Sequence, residues 1–96
     1  MALDTLTQRC ARLLWEGYKA AGEKEIVLLD GAVADSAEVP AGTPMHSACM
    51  HQLEHAIGAV VEEPVREGMV GFTPYRITDR GFALLREAGY LLPEDS

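Results

Sequence analysis

Between Lys24 and Arg66 the sequence contains no lysine or arginine. The intervening residues, 25 to 65, carry seven acids: Glu25, Asp30, Asp35, Glu38, Glu54, Glu62 and Glu63. The whole chain has a formal net charge of −7, from 8 basic and 15 acidic residues. Five of the basic residues lie near the ends: Arg9, Arg12, Lys19, Arg80 and Arg86. A surface of this sign repels nucleic acid and favours basic partners. Cysteine is scarce too. Cys10 and Cys49 alone make no disulfide framework, and both fall on apolar helical faces, so two buried thiols in a reducing cytoplasm are expected. No apolar run approaches the roughly 18 residues of a membrane span. "MALDTLTQRC" lacks the basic and apolar regions of a signal peptide, so a cytoplasmic location without membrane attachment is expected. "DSAE" and "GTP" lack phosphate-loop spacing.

What remains is enough for one folded domain over 1–96. The chain has 96 residues and is 48% hydrophobic, so it can bury a modest core. Segment 1–22 reads as an N-terminal helix, helical from Leu3 to Ala20. Leu3, Leu6, Cys10, Leu13, Leu14 and Gly17 form its apolar stripe, and Gly22 stops it. Trp15 lies off that stripe, either extending the core or serving as an exposed anchor for a partner or a second copy. Segment 25–57 begins with "EIVLLD", a strand or a short buried helix, followed by a short helix over 32–37 and a turn at Val39-Pro40-Ala41-Gly42. Thr43 is then an N-cap with Pro44 at the first helical position, and the next helix runs to Ile57. His46, Cys49, Met50, Leu53, Ala56 and Ile57 share its inner face, leaving Ser47, His51, Gln52, Glu54 and His55 outside. Segment 58–77 reads as a hairpin joined near "REG", with Pro64 and Pro74 keeping its strands out of a sheet centre. Segment 78–92 is a last helix capped by Thr78, with Phe82, Leu84, Leu85 and Ala88 available to the core.

"HSACMHQLEH", residues 46–55, holds all three histidines. Its end reads HxxEH, the order found in one class of zinc peptidases. Such an enzyme needs a third ligand and a cleft, which a chain this short does not supply. Zinc binding through His51 and His55, four apart on one face, is kept as a remote alternative without a catalytic role. No grouping of nucleophile, base and charge stabiliser is present, so neither an enzyme nor a cofactor is expected.

The order helix, strand, short helix, turn, helix, hairpin, helix resembles a winged helix-turn-helix domain. "AVADSAEVPAGTPMHSACMHQLEHAIGAVVEE" looks like that family's second helix, turn and third helix. "HQLEHAIGAV" stands where such domains end the helix with "xxLExxGLV", with Gly58 one residue later than the pattern. "YRITDRGFALLREAG" is similar to the "Y-x-L-T-x-x-G-x-x-L-L" wing strand and helix of MarR- and PadR-type regulators. The resemblance covers residues 25–90 and implies an α/β, mainly α fold with a two- or three-stranded β-wing. It also implies DNA reading by the third helix and wing. The residues there depart from that use: from Lys24 to Arg76 three basic and eight acidic residues sum to −5. The expectation is therefore a non-enzymatic module that binds a protein with a basic surface, a regulator or inhibitor of nucleic-acid machinery by analogy with small phage-encoded inhibitors. A DNA-binding transcriptional regulator is the alternative. The contact candidates are His51, Gln52, Glu54 and His55 on the helix, Glu62, Glu63, Arg66 and Glu67 in the wing, and Trp15. A homodimer remains open.

Overall fold

In the computed structural model, residues 3–65 and 71–95 are described. Helix α1 spans Thr5–Ala20. It starts two residues after Leu3 because Asp4 stays extended and its carboxylate accepts the Thr7 N–H at 2.7 Å. Its inward face is Cys10, Ala11, Leu13, Leu14, Gly17 and Tyr18, while Leu3 and Leu6 pack at the rim. Gly17 allows close approach: a Cβ there would lie 2.7 Å from Leu29 Cδ2 and 2.9 Å from the Leu28 carbonyl oxygen.

After α1 the chain enters β1, Ile26–Val27, so "EIVLLD" is a strand, though only two residues of it pair. Helix α2 is Gly31–Ser36. Ala34, Ala37 and Val39 anchor it and the following turn in the core. Thr43 then caps helix α3, Pro44–His51, by accepting the His46 N–H, and Pro44 occupies the first turn as expected.

The helix does not continue as α to Ile57. Residues Gln52–Ala56 form a π-helical turn. The Ile57 N–H donates to the Gln52 carbonyl and the Ala59 N–H to the Leu53 carbonyl, both at 2.7 Å. A π turn accommodates one extra residue without breaking the helix. That is the residue by which Gly58 comes late. The change of phase keeps Leu53 buried and Ile57 half-buried but turns Ala56 to solvent, against its expected place on the inner face. Gly58, at φ 72°, then reverses the chain.

Strands β2, Val60–Glu62, and β3, Tyr75–Ile77, complete a three-stranded antiparallel sheet of order β1-β3-β2. So β3 is the central strand, against the expectation drawn from the prolines: Pro74 stands just before the strand, where its missing N–H costs no ladder bond and its carbonyl still accepts the Glu63 N–H. The register pairs Val60 with Ile77, Val61 with Arg76 and Glu62 with Tyr75, and on the other side Ile26 with Arg76. Val60 and Ile77 are buried, so their face is the core face. Ile26, Arg76 and Val61 therefore form a row across the opposite face. The expected joint near "REG" lies outside the described residues.

Helix α4, Asp79–Glu87, is capped by Thr78, whose hydroxyl accepts the Gly81 N–H and donates to the Gly58 carbonyl at 2.6 Å. Leu84 and Leu85 are buried, Phe82 and Ala88 pack against the core, and Leu92 beyond the helix is fully buried. Each fully buried leucine contributes on the order of 2 kcal/mol of transfer free energy. A short 3-10 turn, Pro93–Asp95, ends the described chain. The fold is thus mainly helical with a small antiparallel sheet. No helix among the described residues is long and apolar enough to cross a membrane.

Candidate interaction surface on α3 and the sheet

The outer side of α3 carries no cation. Ser47, His51 and His55 are exposed, and Gln52 and Glu54 are half-buried. The His51 and His55 rings lie 5.2 Å apart between centroids, with planes at 50°. His46 points the other way. Its Nε2 is 2.7 Å from the Leu29 carbonyl oxygen, which can only accept, so Nε2 carries the proton. That satisfied, half-buried histidine is taken up by the fold.

Tyr75 connects the helix to the sheet electrostatically. Burial, then the negative charges of Glu54, Glu62 and Asp30, push its phenol above the ordinary tyrosine range. Three acids, from the π turn, β2 and the β1–α2 loop, thus act on one hydroxyl. Glu62 is exposed and carries no ion pair among the described residues.

The described cation of the sheet, Arg76, is already engaged. The Arg76 guanidinium donates through Nη1 to Glu25 at 2.8 Å and through Nε to Glu63. Register explains the clamp: Arg76 sits on the central strand, so an acid from each side of the sheet reaches it. Glu63 is therefore half-buried and paired within the chain, and is no longer free for a partner in this conformation. Arg66 and Glu67 lie outside the described residues. Val61, Val65 and Phe72 add exposed apolar area around the hairpin stem.

Elsewhere Arg12 pairs with Glu38, Lys19 with Glu23, and Arg86 with Glu94 and Asp95. These exposed pairs add little stability, but they lower the cationic character of the surface. Arg9, Lys24 and Arg80 have no ion pair among the described residues.

Trp15 belongs to a different grouping. It is half-buried and stacks on Tyr90, with centroids 4.8 Å apart and planes at 14°, and it touches Tyr18, which meets Phe82 edge-on. Lys19 lies over its ring. Of the two placements open from sequence, Trp15 takes the one that extends the core.

Cys10 and Cys49 are both free and fully buried, one on α1 and one on α3. Burial, then a hydrogen bond with Cys49, pushes the Cys10 thiol up to about 12. Burial raises Cys49 as well, against the opposing effects of the Cys10 hydrogen bond and Arg9. Neither is a nucleophile at neutral pH. Among the described residues no three or more His, Cys, Asp or Glu side chains converge as a metal-binding group.

Sequence reading placed the α3 candidates but missed the Arg76 clamp and the acids around Tyr75. Both depend on the pairing of β3 with strands far away in sequence, and only the alternation of Tyr75 and Ile77 hinted at them. Comparison with family models, curated proteins and solved structures found no match to this chain.

Proposed function

We propose that this chain is a winged helix-turn-helix domain that acts, without catalysis, by docking on a protein with a basic surface. The element order and the sheet order β1-β3-β2 support the scaffold. One observation carries the function. The α3 and sheet surface presents Glu54, Glu62, His51 and His55, while its described cation, Arg76, is neutralised by Glu25 and Glu63. Phosphate contacts supply much of the affinity of duplex binding, and among the described residues α3, the π turn and the three strands have no spare cation to make them. A basic protein surface, including one that otherwise holds nucleic acid, is its electrostatic complement.

A fluorescence titration with a lysine-rich polypeptide as probe tests this. Glu54→Lys and Glu62→Lys should each weaken binding several-fold, and Glu87→Lys on α4 should do so less. Equal losses for all three variants would mean diffuse charge attraction and would overturn the assignment to this surface.

The DNA-binding regulator is the second reading. It is favoured by the base-reading types Ser47 on α3 and Gln52 in the π turn, and by Arg9, Lys24 and Arg80, which have no ion pair among the described residues. Saturable duplex binding with a steep salt dependence would establish it.

A further inference from the structure

We infer that His51 and His55 form a two-histidine site for a divalent transition-metal ion of the zinc class. The inference does not depend on whether α3 docks a protein.

Geometry carries it. With Zn–N bonds of about 2.1 Å and a ring centre about 1.1 Å behind each nitrogen, two imidazoles at a tetrahedral angle place their centroids about 5.2 Å apart. The His51 and His55 centroids are 5.2 Å apart. Ligands at a right angle, as in square-planar or octahedral sites, would bring the centroids to about 4.5 Å. The planes are tilted by 50°, so the rings do not stack on each other.

The backbone explains why this pair is aligned. In a regular α-helix the fourth residue along overshoots a full turn by about 40°. A wider π turn takes part of that overshoot back. His51 is the last residue of α3 and His55 lies within the π turn, so the junction between them brings the two side chains closer to one line than a regular α-helix would. The extra residue that delays Gly58 therefore also sets the histidine pair.

Chemistry and access agree. Both imidazoles are exposed, and neither has a hydrogen-bond partner among the described residues. Neutral imidazole is a good ligand for zinc, copper and nickel. No cation stands beside the pair on α3 to repel a dication, and Glu54 lies between them in sequence. Two protein ligands leave the other coordination positions to water, so the site holds metal more weakly than a closed structural centre.

Calorimetric titration of the untagged chain with zinc tests the proposal. Wild type should bind one equivalent. His51→Ala and His55→Ala should each lose at least tenfold in affinity, and the double variant should lose little more. His46 is kept throughout, and unchanged circular dichroism spectra would show that the exposed substitutions leave the fold intact. A zinc-dependent rise in Tm should be present in wild type and absent from both single variants. Single variants that bind like wild type, or wild-type heats no larger than those of the double variant, would overturn the site.

Discussion

A thiol in a sealed core responds to pH in a way that its neighbours dictate. Cys10 ionises at about 12 in the folded chain, chiefly through burial, against about 8.5 when unfolded. Its folded value is raised, so the associated stability is intact below about pH 8.5 and is lost as pH climbs toward 12. The slope is about 1.4 kcal/mol per pH unit for such a group. Tyr18 and Tyr75 are also raised, first by burial, and they steepen the loss above about pH 10. Urea unfolding under reducing conditions between pH 8 and 10.5 should show this decline, and Cys10→Ala should flatten it. Iodoacetamide should label neither cysteine of the native chain at pH 8 on the timescale that labels the chain in denaturant. Prompt native labelling would contradict the burial.

At the level of elements, two glycines and two hydroxyl caps decide how helices meet the sheet. Gly81 lies in α4 against the Ala59 carbonyl and Ile77, and a methyl there would overlap both. In an open helix Gly→Ala stabilises by roughly 0.5–1 kcal/mol. Here overpacking should reverse the sign and cost roughly 1–3 kcal/mol, read as a lower urea midpoint. A gain in midpoint would mean α4 does not sit so close. Thr78→Ala removes the α4 cap and the bond to Gly58, and should cost about 1–2 kcal/mol in the same assay.

The caps were legible in the sequence because they are local. Thr43-Pro44 and Thr78 act within three residues of where they stand. So was the centre of α1's inner face, Cys10, Leu13, Leu14 and Gly17, which needs only its period, whereas the buried Ala11 and Tyr18 beside it were not read. The π turn left a trace, the late Gly58, but an extra residue can be absorbed in more than one way, and the choice rests on packing of Leu53 and Ile57. The Arg76 clamp left none. Glu25 lies 51 residues from Arg76, and nothing within either segment announces the other. The site was thus half readable: its helix by periodicity, its electrostatics only through register.

Over the whole molecule, charge is arranged more tellingly than its sum. Arg12, Lys19, Arg76 and Arg86 are tied to acids of the same chain, whereas Glu54 and Glu62 have no such pair among the described residues. The protein therefore turns a negative surface outward from α3, the π turn and the sheet. The most direct test is an anisotropy titration of a labelled mixed-sequence duplex at low salt. The account expects no saturable binding by wild type, and measurable binding once Glu54 and Glu62 are both changed to lysine. Tight wild-type binding that weakens steeply with added salt, and that Gln52→Ala diminishes, would contradict it.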